Sequence, residues 1–250
     1  MKPGFIIPVY NHGITLDAVT GSLAGYGYPI IIVDDGNDEK NRLLIEAVIR
    51  KYPQTVLVTR AKNGGKGAAM RDGMIKAQEL GLTHAFQIDS DGQHDTGRVP
   101  FFLAESEKHP QAVICGYPEY DASVPSIRKN AREISNRWTR FLSVSGEIKD
   151  AMCGFRIYPV EPYYTLIKNH AVIDPRMGCD ADILVHLVWA DVRIISYPVK
   201  VSYPADGVSN FHMFRDNVHI SCTFARLFFG MIARFPVLVC RAVQRRKTSV

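Results

Sequence analysis

Over most of its length the chain alternates short apolar runs, each halted by polar or glycine-rich residues, with stretches whose apolar positions recur at helical spacing. Gly4 to Val9 is the first run, ending in Pro8-Val9-Tyr10-Asn11, and an amphipathic stretch from Ile14 to Ala24 follows. Ile30 to Val33 stops on Asp34-Asp35-Gly36, and Asn41 to Tyr52 then spaces Leu43, Leu44, Ala47 and Val48 as one helical face. Thr55 to Thr59 reads as a third strand, leading into Asn63-Gly64-Gly65-Lys66-Gly67 and a helix from Ala68 to Leu80 that stops at Gly81. A fourth strand, around Ala85, Phe86 and Ile88, breaks into Asp89, Asp91, Gln93, His94 and Asp95. Strands alternating with helices predict an α/β domain with right-handed crossovers and a mainly parallel sheet. Ligands of such sheets bind beyond the carboxyl ends of the strands, so these four polar loops are expected at one rim.

In the second half, Pro125 to Leu142 sets Ile127, Ile134, Trp138 and Phe141 at helical spacing among Arg128, Lys129, Arg132, Arg137 and Arg140. The default reading of such a run is a solvated basic face. Cys153-Gly154-Phe155 is a turn entering a strand at Arg156 to Tyr158. Asp180 and Asp182 open a buried helix through Trp189, and two strands are expected around Pro198. From Asn217 the chain is densely apolar, but Arg226, Arg234 and Arg241 interrupt the roughly 20 apolar residues that a membrane span needs. At about 100° per residue, His219, Thr223, Arg226, Arg234 and Arg241 share one polar arc. Pro236 is expected to divide this stretch into two amphipathic helices. The expectation is a catalytic domain over residues 1–216 and a tail, 217–250, lying on a membrane without crossing it. The competing expectation is a tail packed on the domain.

Composition narrows this reading. With 250 residues, 46% of them hydrophobic, the chain is long enough to bury the core of one α/β domain. The net charge of +5 gathers toward the end, where no acidic residue follows Asp216 and Arg245, Arg246 and Lys247 add to the tail. That asymmetry points to an anionic membrane surface for one end and to no nucleic acid. Cys115, Cys153, Cys179, Cys222 and Cys240 are odd in number and widely spaced, which fits neither a disulfide framework nor a zinc site and suits a reducing cytosol. The N-terminal apolar stretch is too short for a signal peptide.

The chemistry centres on Asp89-Ser90-Asp91. Two carboxylates one residue apart at a strand end repel each other, and a divalent cation removes that penalty while leaving positions for phosphate oxygens. Asn63-Gly64-Gly65-Lys66-Gly67 lacks the spacing of a P-loop and of a dinucleotide fingerprint, so it does not mark a nucleoside-triphosphatase. It reads as a tight turn offering amides and a lysine to an anion at a helix start.

Pro8-Val9-Tyr10-Asn11, Val33-Asp34-Asp35-Gly36, the glycine turn, Asp89-Ser90-Asp91-Gly92-Gln93-His94 and Asp150-Ala151-Met152-Cys153-Gly154-Phe155-Arg156 occur in one order. In that order the chain resembles family 2 glycosyltransferases over roughly residues 4 to 210, and most closely the branch of dolichyl- and polyprenyl-phosphate sugar synthases. His12 departs from the family, which usually has an acidic residue there. The resemblance implies a GT-A nucleotide-sugar-binding fold and inverting transfer of a hexose or N-acetylhexosamine from a nucleoside diphosphate sugar to a lipid or lipid-phosphate acceptor. It implies donor binding by Pro8, Tyr10, Asn11, Asp35, Lys66, Asp89 and Gln93, with Asp89, Asp91 and Gln93 holding Mg²⁺ or Mn²⁺. Asp91, Asp150 and Asp182 become the catalytic candidates, and Asp180 a further base if the acceptor is a hydroxyl. Arg128, Arg132, Ser135, Arg156, Ser209 and His212, with Arg215 beyond them, are candidates for the acceptor. The location implied is the cytoplasmic face of a membrane. Two other readings compete: a sugar-nucleotide pyrophosphorylase, whose glycine-rich N-terminal signature is missing, and a membrane-bound nucleotide-sugar scaffold without turnover.

Overall fold

The structure, a computed structural model, describes residues 1–119, 126–201 and 213–248, and within its helices the side chains of 126–131, 213 and 245–248 lie outside the description. Its centre is a seven-stranded sheet in the order β3-β2-β1-β4-β6-β5-β7. The strands are β1 (Pro3–Val9), β2 (Ile30–Asp34), β3 (Thr55–Thr59), β4 (His84–Gln87), β5 (Val113–Glu119), β6 (Arg156–Pro159) and β7 (Ile194–Lys200). β6 alone runs antiparallel to its neighbours, so the sheet is mainly parallel as the alternation predicts.

Helices α1 (Gly13–Ala24), α2 (Glu39–Lys51) and α4 (Val99–Lys108) cover one face; α3 (Lys66–Glu79), α6 (Val160–Lys168) and α7 (Cys179–Trp189) cover the other. Alternation along β1 shows how both faces are filled: Phe5 and Ile7 join one apolar cluster and Ile6 joins the other. β1, β2, β4 and β6 are buried throughout, whereas β3 is an edge strand and only partly covered. Successive strands are added to one side of β1 up to β3 and to its other side from β4, which makes the carboxyl ends of the parallel β1 and β4 the topological switch point.

Several expectations need correction. On α2 the buried residues are Ile45 and Val48, while Leu43 and Ala47 face solvent. Packing on α1 and β2, not residue hydrophobicity alone, selects that face. The chain around Pro198 forms one strand, β7; as the last strand of the sheet it tolerates a residue that cannot donate to a further neighbour.

Helix α5 (Ser126–Ser143) is turned inside out relative to its apolar stripe. Asn136, Thr139, Leu142 and Ser143 are buried, while Ile134, Trp138 and Phe141 are exposed. The tail is one helix, α8 (Met213–Thr248), which contains Pro236 without ending there, so the expected pair is a single element. The expected boundary at residue 216 falls inside α8, and Leu227, Met231 and Leu238 share an apolar cluster with Leu142, Val185 and Trp189. Arg226 and Arg241 of the predicted polar arc turn toward the domain, onto Asp182 and the Trp189 carbonyl, which leaves the apolar side outward.

Candidate active site

The loops after β1, β2, β3 and β4 meet at the switch point, tied by side chains that substitute for missing backbone partners. Asn37 donates to the Val9 carbonyl (2.8 Å) and the Asp34 carboxylate (2.7 Å), and its own carbonyl accepts the Asn11 N–H (2.7 Å). Asn11 sits at φ 61°, a left-handed conformation that asparagine tolerates better than most residues. Asp34 thus serves the turn. Asp35, expected to bind donor, is 2% exposed and fully engaged: it accepts from the amides of Gly64 (2.9 Å) and Gly65 (2.8 Å) and from Asn63 Nδ2 (3.0 Å), with Arg60 Nε 2.8 Å away. Its carboxylate shapes the glycine turn from below.

That turn delivers Lys66 to the start of α3, where its ammonium lies 2.9 Å from Asp89 Oδ1 and 2.8 Å from Asp180 Oδ2. Burial alone lowers a lysine, but the two carboxylates outweigh it and hold Lys66 well above its ordinary range. Asp180 is itself fixed by Gln87 Nε2 (3.2 Å), and its backbone carbonyl accepts from Arg156 Nη1 (2.7 Å). Tyr158 donates to Gln87 Oε1 at 3.3 Å, closing a buried polar lattice under the site. Arg156, expected at the acceptor, is 0% exposed and belongs to this lattice. Its place in an interior strand, between β4 and β5, keeps the guanidinium among protein partners.

Asp89 follows β4 directly, and Gly154 lies against its carboxylate so closely that any Cβ there would overlap it. Burial pushes the Asp89 carboxyl up, yet Lys66 and then His94 outweigh it and leave it below the usual range. Asp91 is moved the other way, upward, first by burial and then by the charge of Asp89. Its Oδ1 accepts the Gln93 N–H at 3.0 Å, so Gln93 braces the loop through its backbone. Asp89 Oδ1 and His94 Nδ1 are both buried without a hydrogen bond, although Lys66 Nζ stands close to the former. His94 stacks on Phe155 with ring centroids 5.5 Å apart, and burial keeps its pKa low against the pull of Asp89 and Asp91.

This donor set fits a hard divalent cation. Two carboxylates crowd one another, and a buried oxygen of Asp89 has only the Lys66 ammonium close to it. No group of three His, Cys, Asp or Glu side chains converges among the described residues, so the remaining ligands would be phosphate oxygens and water.

Two catalytic candidates prove to be engaged elsewhere. Asp150, 3% exposed, receives Arg132 through both Nε (2.5 Å) and Nη2 (2.7 Å) and accepts from the Met152 (2.9 Å) and Cys153 (2.7 Å) amides. Burial works to raise this carboxyl, but Arg132 prevails and lowers it. Asp182 is 0% exposed, paired with Arg226, and accepts the Asp174 N–H at 2.6 Å. Pro8 is buried in β1; Tyr10 and Asn11 stand at the rim beside it. Arg132 and Ser135 lie on α5, and Arg128 on the same helix has its side chain outside the described residues, as do Ser209 and His212 altogether. Arg215 is exposed on α8 and lies 3.6 Å from Asp216.

Sequence reading missed Arg60, Gln87, Tyr158 and the positional demand on Gly154. A glutamine set between the apolar Phe86 and Ile88 is the signal that pointed to Gln87.

A family profile, "Glycosyl transferase family 2", matches residues 5–167. A dolichyl-phosphate beta-glucosyltransferase of Dictyostelium discoideum is 27% identical over 62% of this chain and 53% of its own length. One from Trichomonas vaginalis is 26% identical over 78% of this chain and 64% of its own. The chain therefore spans between about half and two thirds of these relatives. Among solved structures, glucosyl-3-phosphoglycerate synthase from Mycobacterium tuberculosis, in complex with Mn²⁺, uridine-diphosphate-glucose and phosphoglyceric acid, superposes with a TM-score of 0.65 at 13% identity, over 91% of this chain and 79% of that one. The likeness is one of fold, and it is the GT-A fold that the ordered motifs imply.

Proposed function

Because the chain belongs to glycosyl transferase family 2, we propose that it moves a hexosyl or N-acetylhexosaminyl group, with inversion, from a nucleoside diphosphate sugar to a lipid phosphate at the cytoplasmic face of a membrane. The observation that carries this reading is the Asp89–Asp91 pair at the switch point, two crowded carboxylates reached by Lys66. Asp89 and Asp91 would hold Mg²⁺ or Mn²⁺, whose charge would stabilise the diphosphate as it leaves. Lys66, at the start of α3 among the amides of the glycine turn, offers a second positive charge to the same phosphates. Pro8, Tyr10 and Asn11 border the space for the nucleoside.

The acceptor class follows from what the carboxylates are doing. A hydroxyl acceptor needs a base within hydrogen-bond reach, whereas a phosphate oxygen is already nucleophilic. Asp150 and Asp182 are held by arginines and Asp180 by Lys66, so none of the three is free to take a proton. That supports a phosphate, in keeping with the names of the relatives. Asp150 then serves the reaction by fixing Arg132 and the loop that carries Gly154.

The test supplies the full chain with UDP- and GDP-sugars, Mn²⁺ and a dolichyl phosphate, and follows sugar entering the lipid fraction. A lipid-linked sugar phosphate is expected. Asp91→Asn should cut turnover by about 10² to 10³, the usual cost of deleting one electrostatic stabiliser of the leaving charge. Undiminished turnover in EDTA overturns the metal assignment, and a product linked through an acceptor hydroxyl overturns the phosphate.

A further inference from the structure

Helix α8 reaches the donor loops through an inward clamp. Arg226 donates from Nη1 to the Val172 carbonyl and from Nη2 to Asp182 Oδ2, while Thr223 donates to Asp174 Oδ2. Asp182, at the start of α7, also accepts the Asp174 N–H, so α7, α8 and residues 172–176 are joined at one buried carboxylate. These residues in turn lie on the glycine turn. The Pro175 carbonyl accepts the Ala68 N–H at 2.9 Å. A Cβ on Gly65 would meet the Pro175 carbonyl and Arg176, and one on Gly67 would meet the Asp174 carbonyl. Gly65 itself stands at φ 96°, a conformation held by contact on both sides, Asp35 beneath and Pro175 above.

From this chain of contacts we infer that Arg226 and Thr223 are positioning residues for the donor site. They press residues 172–176 onto the glycine turn and so fix where Lys66 presents its charge to Asp89. The inference rests on the proposed donor site but concerns a helix that lies outside the family match, which ends at residue 167. It makes α8 a working part of the nucleotide-sugar pocket. Neither residue contacts Lys66 or Asp89, so their effect must pass through the turn. It follows that the clamp should act on the donor side of the reaction and leave the acceptor side untouched.

The experiment uses the full chain with Arg226→Ala, Thr223→Val, Arg226→Lys and, as control, Arg234→Ala. Arg234 lies on the same helix but packs over Trp189, 4.9 Å from the ring centre, away from residues 172–176. Two readouts are taken: amide hydrogen exchange over residues 63–70 without ligand, and calorimetric affinity for UDP with Mn²⁺. Arg226→Ala and Thr223→Val should speed exchange at the turn and weaken UDP by about tenfold, the scale of losing one charge-assisted bond. Acceptor KM should stay unchanged, Arg226→Lys should recover most of the affinity, and Arg234→Ala should match wild type. Unchanged exchange at 63–70 in folded Arg226→Ala and Thr223→Val overturns the clamp, as does equal weakening in Arg234→Ala. Failure of the wild-type chain to bind any nucleotide sinks the donor-site reading instead, and the exchange readout still decides the clamp.

Discussion

Gly154 shows how closely single residues are specified here. Its position against the Asp89 carboxylate leaves no volume for a methyl group, so Gly154→Ala must push Asp89 out of line with Asp91. Activity should fall about as far as in Asp91→Asn, some 10² to 10³, while the melting transition stays cooperative; wild-type turnover in Gly154→Ala would falsify the close packing. Asp150 makes a different kind of contribution. Its side chain is 4% exposed and that of Arg132 18%, so Asp150→Asn strands a largely buried guanidinium and should cost about 3 kcal/mol. Because the folded carboxyl is held below its unfolded value of about 3.9, that stabilisation is complete above about pH 5 and is lost as pH falls through the folded value. Urea melts at pH 7 and pH 3 should therefore show the gap between wild type and Asp150→Asn at full width at the first and narrowed at the second. The motif aspartates and glycines were legible because metal chemistry and backbone strain restrict residue type locally. The engagement of Asp182 by Arg226 was not, since partners 44 positions apart are joined only by the tertiary fold.

At the scale of elements, periodicity located α5 but misjudged which of its sides meets the domain, and it divided at Pro236 a stretch that forms the single helix α8. A stripe records that a helix has two sides; it does not say which side meets the domain. On α5 the domain takes Asn136, Thr139 and Leu142, and on α8 it takes Thr223, Leu227 and Met231. Trp138, Phe141, Phe229, Ile232 and Phe235 are left outward on two helices that touch through Phe141 and Phe228. The stretch Phe214–Gln244 is long and apolar enough to cross a membrane by length and composition, yet its inner side is docked along α5 and α7. We therefore expect the pair to lie in the interfacial layer as one apolar ridge. Arg132, Arg226 and Arg241 turn inward, so binding should draw mainly on apolar side chains, each worth about 1.5–3 kcal/mol when fully inserted. Flotation of the full chain with anionic vesicles should persist at high salt, and replacing Trp138, Phe141, Phe229 and Ile232 together by Ser should abolish it with the fold intact. Loss of wild-type flotation on adding salt would return the attraction to the basic end of the tail.

At the scale of the whole molecule, the βα alternation of the first half was readable because parallel strands covered on both faces are continuous apolar runs. β5, α4 and α6 were not read: the sheet neighbours of β5 are β6 and β7, far along the chain, and the two helices are short, 10 and 9 residues. The site inherits this architecture. Its parts are contributed by the loops after β1, β2 and β4, the turn before α3, the segment before β6 and the start of α7. No fragment of the unfolded chain holds them together, so donor and cation should bind the folded state alone and stabilise it by mass action. At a hundred times the dissociation constant this amounts to about 2.7 kcal/mol, which for a chain of this size raises the melting temperature by roughly 5–10 °C. The gain should need both partners: Asp89 and Asp91 supply too few ligands to hold a cation tightly alone, and a diphosphate without the cation meets their charge. Thermal melts with Mn²⁺, with UDP and with both should therefore show a shift for the pair well above the sum of the single shifts. Asp91→Asn should lose that excess while keeping its own transition. An equal shift by UDP in EDTA would mean that Lys66 and the glycine turn bind the diphosphate without metal, and the role of Asp91 would have to be redrawn.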